Sequence, residues 1–319
     1  MAACGILGVC AFSNIETNNL LVTTMPELGC LHLKVLSTFG VNRVDVPVQF
    51  NFQVSGLRWS GYLAFMGPPT CRRLLVTDSG NGAVHIIDVA GRAHAGFVAA
   101  PGTLPGCRGV AARENLVAVS SSSTPRENGG VHLYEGSGAT WTPIRSIVGG
   151  VEFPGMTSCF LHTPAGLRFT SDGTKLAVTD DRIGCVKIFR VDDLSCVQNL
   201  PGRYLMPSDV EECEGGWFVA IYKLMGCSLT YGDSGFGPTV RERDFVGTVV
   251  NGATSLVLVP GLGLLVYEAG ARKVKLFATH DFISMSAMSA DRVGWMVAVA
   301  RGIAARGRAT SGRAKMNKE

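Results

Sequence analysis

AGLRFTSDGTKLAVTDDRIGCVKIFR, Ala165 to Arg190, holds three short apolar runs separated by the turn-forming stretches SDGT and DDRIG. Runs of Val, Leu, Ile and Phe bounded by Gly, Asp, Asn and Pro read as strands joined by tight turns. The pattern returns roughly every 50 residues, a period that belongs to stacked repeat architectures.

Each copy opens on a first run: GVCAF at Gly8, GLRWS at Gly56, GVAA at Gly109, GLRFT at Gly166, DVEE at Asp209 and SLVLV at Ser255. A second run follows: LLVTT at Leu20, LLVTD at Leu74, LVAVS at Leu116, LAVTD at Leu176, WFVAI at Trp217 and LLVYE at Leu264. The third runs are CLHLKVL at Cys30, AVHIIDV at Ala83, VHLYE at Val131, VKIFR at Val186, SLTY at Ser228 and KVKLF at Lys273. A weaker fourth run, such as AGFVAA (Ala95 to Ala100) or SCVQNL (Ser195 to Leu200), often ends the unit. Second runs are nearly apolar throughout, as strands buried on both faces are. Third runs alternate: Val186, Ile188 and Arg190 point one way, Lys187 and Phe189 the other. Four-stranded sheets packed face to face around a central channel account for both patterns. A parallel α/β sheet would need amphipathic helices of about ten residues or more between strands, and the connections are too short and too rich in Gly and Pro. The expected fold is all-β: a six-bladed β-propeller over residues 1–280, a short C-terminal helical segment over 281–302 and a disordered basic tail over 303–319.

LLVTDSGNGAVHIIDVAGR (Leu74 to Arg92) and LAVTDDRIGCVKIF (Leu176 to Phe189) share an apolar strand ending in Asp, a glycine-bearing turn and a V-x-I motif. In this they resemble the NHL-repeat family of six-bladed propellers. The Leu264 copy has Glu268 for the Asp, the Leu116 copy carries the insertion SSSTPRENGG, and the Leu20 and Trp217 copies are degenerate. The resemblance spans residues 5–280 and implies a module whose rim binds protein or RNA partners. No RING, B-box or coiled coil accompanies it, so a ubiquitin-ligase role does not transfer.

Composition agrees with one large core rich in turns: 46% hydrophobic residues, 17% charged and 40 glycines. No run of about 18 apolar residues is free of charge and Gly, so no membrane span is expected. The tail cations Arg301, Arg306, Arg308, Arg313, Lys315 and Lys318 carry more than the whole net charge of +4, which leaves the body slightly acidic. The tail is small, polar and aperiodic. Before it, Ile283, Met285, Met288, Val293, Met296, Val297 and Ala300 fall at helical spacing. The 10 cysteines form no CxxC and no dense framework. Reduced structural cysteines in an intracellular, cytoplasmic protein are expected. MAACGILGVCAF lacks the basic start of a secretory leader.

Motifs for chemistry are missing: GxSxG, HExxH, a P-loop and an EF-hand loop do not occur. His32, His85 and His132 share one place in the third strands, and Lys187 and Lys275 fill it in two other copies. A position that accepts Lys is read as solvent-facing or snorkelling, so neither a metal nor another cofactor is expected there. Asp78 and Asp180 end second strands, in line with Thr24, Ser120, Ile221 and Glu268. Side chains of this type bond turn amides two residues on. A ring of carboxylates holding Ca²⁺ is broken by Thr24 and Ile221.

Second-to-third-strand turns and the connections between repeats share one rim, and loops on a rigid scaffold are where binding concentrates. The candidate binding residues there are Asn81, Arg126, Arg182, Lys223, Arg272 and Lys273 from the turns, with Arg108, His162, Tyr204 and Asp209 from the connections. The expected function is a non-catalytic module, a monomer presenting this rim to a protein partner. The alternatives are a propeller hydrolase or lactonase with a metal at the channel mouth, and an RNA-binding propeller. RNA recognition calls for exposed aromatics beside the cations, and Tyr204 alone offers one.

Overall fold

The computed structural model describes residues 9–14, 17–25, 30–36, 50–53, 57–58, 60–66, 73–88, 91, 93–122, 129–149, 160–200, 207–213, 216–221, 228–233, 243–244, 253–259, 263–268 and 273–277. Every regular element among them is a strand. The helical segment and basic tail expected after residue 280 lie outside the described residues.

The strands form six antiparallel sheets. The first holds β1 (Val9–Asn14), β2 (Thr17–Met25), β3 (Cys30–Leu36) and β4 (Phe50–Gln53). The second holds β5 (Ser60–Met66), β6 (Arg73–Asp78), β7 (Ala83–Asp88) and β8 (Ala93–Ala99). The third holds β9 (Cys107–Arg113), β10 (Leu116–Ser121), β11 (Gly130–Ser137) and β12 (Thr140–Val148). The fourth holds β13 (Pro164–Phe169), β14 (Lys175–Asp180), β15 (Cys185–Arg190) and β16 (Cys196–Leu200). The fifth holds β17 (Pro207–Cys213), β18 (Gly216–Ile221), β19 (Ser228–Asp233) and β20 (Arg243–Asp244). The sixth has three described strands, β21 (Ala253–Val259), β22 (Gly263–Glu268) and β23 (Lys273–Phe277). Within each sheet, strands pair in chain order. The first strand of each sheet lies beside the first strand of the next, and β21 lies beside β1.

Apolar residues fill the spaces between sheets. Leu75, Ile86 and Val98 of the second sheet meet Val110, Val117 and Val119 of the third. Ala118 and Leu133, on the other face of the third, meet Leu167, Leu176 and Phe189 of the fourth. Ile188 and Val186 in turn meet Val210, Trp217 and Val219 of the fifth. Middle strands are thus dry on both faces. Leu74 and Leu75 are both fully buried, each worth about 1.5–3 kcal/mol over exposure. The alternation expected for VKIFR does not separate wet from dry: Val186, Lys187, Ile188 and Phe189 are all buried.

In the second and third sheets a hydroxyl near the end of the second strand ties neighbouring sheets together. Thr77 Oγ1 accepts from Tyr62 N at 2.9 Å and donates to Arg108 O, in the next sheet, at 2.7 Å. Ser120 Oγ accepts from Gly109 N at 2.8 Å and donates to Ala165 O, again one sheet on, at 2.7 Å. The register of the first strand slips at this place in the second, third and fourth sheets. The slip leaves backbone groups without ladder partners, and the hydroxyl satisfies them.

Two expectations change with this register. GLRWS does not begin the second sheet: its first strand is Ser60–Met66. Arg58, in the connection before that strand, donates its amide to Asp78 Oδ2 at 2.8 Å. The partners of Asp78 and Asp180 across the hairpin to the third strand are Ala83 and Cys185, and the equivalent pair in the third sheet is Ser121 with Gly130. Ser121, not Ser120, therefore matches the two aspartates.

Candidate functional site

The recurrent aspartates sit at the end of the sheets where second-to-third-strand turns meet inter-sheet connections. Asp180 is fully buried. Its carboxylate accepts from His162 N at 2.6 Å, Thr163 N at 3.1 Å and Ile183 N at 3.1 Å. Asp78 is also buried and accepts from Arg58 N, from Asn81 N at 3.2 Å and from Asn81 Nδ2 at 2.8 Å. Each carboxylate thus binds its own turn, three residues on rather than two, and the connection entering its sheet. Charge-assisted bonds of this kind are stronger than neutral ones.

Two residues beyond each pairing point, the third strands carry His85, His132 and Lys187. His85 and Lys187 are buried and His132 is part-buried, which corrects the solvent-facing reading. Lys187 is 1% exposed, and its ammonium donates to the Phe160 carbonyl. His132 Nε2 lies 2.8 Å from Ser121 Oγ and its Nδ1 lies 3.0 Å from Ser146 Oγ; burial moves its pKa below the usual histidine value. His85 Nε2 lies 3.5 Å from Asp78 Oδ2, and its Nδ1 lies 3.1 Å from His94 Nε2. His32 and Lys275 hold the same register position in β3 and β23.

The sheets differ most at the inner strands. Leu63, Val110, Leu167, Val210 and Leu256 occupy one register position, opposite Val76, Val119, Val178, Val219 and Val266. The residues just before them are Tyr62, Gly109, Gly166, Asp209 and Ser255. At Gly109 a Cβ would lie 1.8 Å from the Ala165 carbonyl oxygen, and at Gly166 it would lie 2.5 Å from Asp209 Cα. Only glycine allows so close an approach. Tyr62, Asp209 and Ser255 depart from glycine, and Tyr62 is the largest of them. Its hydroxyl donates to Ser208 O at 2.6 Å, from the second sheet to the fifth, three places round the cyclic order. Burial holds the Tyr62 hydroxyl well above the ordinary phenol value; Arg108 opposes this shift, and Asp209 and Asp181 add to it.

Those neighbours make a polar cluster. Arg108 Nη1 lies 3.4 Å from Asp181 Oδ2, and both side chains are part-exposed. Asp209 is buried and accepts from Ser255 Oγ at 3.0 Å. On the adjoining turn, Arg182 is exposed and Ile183 is 43% exposed. The cluster can pair with complementary charge and offers an apolar contact beside it.

Of the residues singled out from the sequence, Arg108 and Asp209 meet in this cluster, with Arg182 on the turn next to it. Asn81 and His162 belong to the aspartate networks; His162 Nδ1 also lies 3.0 Å from Thr163 Oγ1. Lys273 opens β23. Arg126, Tyr204, Lys223 and Arg272 lie outside the described residues. Tyr62, Asp181, Ile183 and Ser255 were not among the candidates. The signal for Tyr62 was present: aligning the copies on their second strands puts it where other copies have Gly109 and Gly166.

Among the described residues, no group of three or more His, Cys, Asp and Glu side chains is placed to hold a metal, and no helix is long and apolar enough to cross a membrane. Cys107, Cys185 and Cys196 are free. Burial pushes the Cys107 thiol up to about 12 and that of Cys185 up to about 11, as expected of inert structural cysteines.

No family model matches the chain, and no curated protein resembles it in sequence. Solved structures do share its fold. A hydrazine synthase from Kuenenia stuttgartiensis is similar over 92% of this chain and 83% of its own, with a TM-score of 0.63 and 13% identity. A luciferin-regenerating enzyme matches 84% of this chain and 86% of its own, with a TM-score of 0.56 and 15% identity. A chain from a nidogen/laminin complex matches 72% of this chain and 76% of its own, with a TM-score of 0.53 and 14% identity. These neighbours are propeller-like. The chain is a β-propeller.

Proposed function

We propose that the chain is a six-bladed propeller of NHL-like repeats that acts as a non-catalytic binding module, docking a protein partner on the rim formed by Arg108, Asp181, Arg182 and Ile183. The observation that carries this reading is the pairing, on one turn, of an exposed guanidinium with an exposed isoleucine beside a part-exposed ion pair. An apolar contact ringed by polar groups is the usual composition of a protein interface. Chemistry on the repeated polar positions is disfavoured by their internal bonding: Asp180 serves three amides, His132 two serines and Lys187 a carbonyl. The inert thiols fit an intracellular, cytoplasmic setting, and we read the module as a monomer. The structural neighbours include two enzymes and a chain from a nidogen/laminin complex, so the fold is compatible with catalysis and with binding.

The test places a photo-crosslinking amino acid at Arg182 and, as control, at Asp192 in a turn at the other end of the sheets. One protein is expected to be captured from position 182 alone, to bind again after purification, and to be lost with Arg182→Glu. Capture from both positions, or from 192 only, refutes the assigned surface. Capture of RNA in place of protein, with affinity falling steeply as salt rises, selects the RNA alternative.

A further inference from the structure

We propose that His85 Nδ1 and His94 Nε2 form a two-histidine site for a divalent zinc-class metal ion at the outer part of the second sheet, with Asp78 as the carboxylate behind His85. The two nitrogens stand 3.1 Å apart, with the rings 77° from coplanar. With zinc–imidazole bonds of about 2.0–2.1 Å, a 3.1 Å separation corresponds to a ligand–metal–ligand angle of about 100°, close to tetrahedral.

Three further features point to an ion. First, the other nitrogen of His85 faces a buried carboxylate. Asp78 Oδ2 lies 3.5 Å from Nε2, and the backbone amides of Arg58 and Asn81 hold that carboxylate in place. Nε2 makes no hydrogen bond, and the negative charge beside it favours the tautomer with the ring proton on that side, which leaves the Nδ1 lone pair for a ligand. Second, His85 is 3% exposed, whereas His94 is exposed. One ligand is fixed in the scaffold, and the other leaves coordination positions open to water. Phe97 flanks both rings, with centroids 5.0 Å and 4.6 Å away, and limits their rotation.

Third, the other sheets fill the same position differently. His132 Nδ1 meets Ser146 and Lys187 meets a carbonyl, so a hydroxyl or a carbonyl is enough for hydrogen bonding. Only the second sheet, among the described residues, opposes imidazole to imidazole. Two neutral rings in this geometry share one proton, and the ion takes that proton's place when His94 carries its own proton on Nδ1.

Calorimetric titration of the full chain with Zn²⁺ tests the site, and Co²⁺ absorption reports the ligand type. One equivalent of Zn²⁺ should bind, and Co²⁺ should give bands of nitrogen and oxygen ligation with no thiolate charge transfer. His94→Gln changes an exposed side chain, so the protein should stay folded; it should weaken Zn²⁺ binding at least tenfold. His132→Gln should leave binding unchanged. The proposal is overturned if the wild-type chain takes up no Zn²⁺, if His94→Gln binds as wild type does, or if Co²⁺ reports thiolate ligands.

Discussion

The two ends of the sheets use arginine differently. At the end built from first-strand hairpins and third-to-fourth-strand turns, Arg113 and Arg145 fasten sheet to sheet, while Arg190 pairs with Asp192 on its own turn. Arg113 of the third sheet donates to the carbonyls of Thr170 and Ser171 in the fourth, at 2.9 Å and 2.8 Å. Arg145 likewise reaches the carbonyls of Val191 and Asp192. At the opposite end the fastening is done by Asp78, Asp180 and the Thr77 and Ser120 hydroxyls, which hold backbone groups. That leaves Arg108 part-exposed in an ion pair and Arg182 exposed on its turn. Where buried carboxylates secure the backbone, the arginines stand at the surface.

The largest effect is expected from removing a carboxylate. Asp180→Ala orphans three amides around a buried position, at about 1–3 kcal/mol each, so a loss of at least about 3 kcal/mol is expected in thermal or denaturant unfolding. A loss below about 1 kcal/mol would mean that the carboxylates do not secure this end. Next comes the other end: Arg113→Ala should cost about 1.5–3 kcal/mol, the value of a hydrogen bond to a charged group. Unchanged melting of Arg113→Ala would remove the contrast between the ends.

Smaller still is a pH effect. Burial lowers the pKa of His132 below its unfolded value, so between those two values the unfolded chain holds more protons. Stability from this group is complete above about pH 6.5 and declines as pH falls below it. His132→Gln should flatten the part of the melting-temperature profile that falls from neutral pH towards pH 5. A profile as steep as wild type would assign that loss to other groups. The smallest effect on folding belongs to the rim: Arg182→Glu with Ile183→Asp should shift stability by no more than about 0.5 kcal/mol per site. A larger shift would make this turn part of the scaffold.

Most strands could be read from the sequence because their signals are local: an apolar run and a turn residue at each end. First, second and third runs correspond to strands in all six sheets, with one displacement at Gly56. At the displaced copy Tyr62 stands where the third and fourth sheets have Gly109 and Gly166. Its meaning depends on a contact with Ser208, 146 residues away, which strand periodicity cannot encode. Lys187 and His85 were misplaced for a related reason. Alternation gives the face of a strand, but whether that face is wet depends on the neighbouring sheet. The bridging roles of Thr77 and Ser120 were hidden because a hydroxyl at a strand end looks the same whether it bonds its own turn or the next sheet. Arg108, Asp209 and Arg182 could be found as rim residues; that Asp181 and Ile183 adjoin them follows only from the folded turn.

The division of labour between the two ends is tested most directly by calorimetric affinities of the partner captured through position 182. Arg182→Glu with Ile183→Asp should weaken that partner at least tenfold, while Asp192→Arg with Asp193→Arg at the opposite end leaves it unchanged, both variants staying folded. Unchanged affinity in the first variant, or an equal loss in the second, would contradict the account.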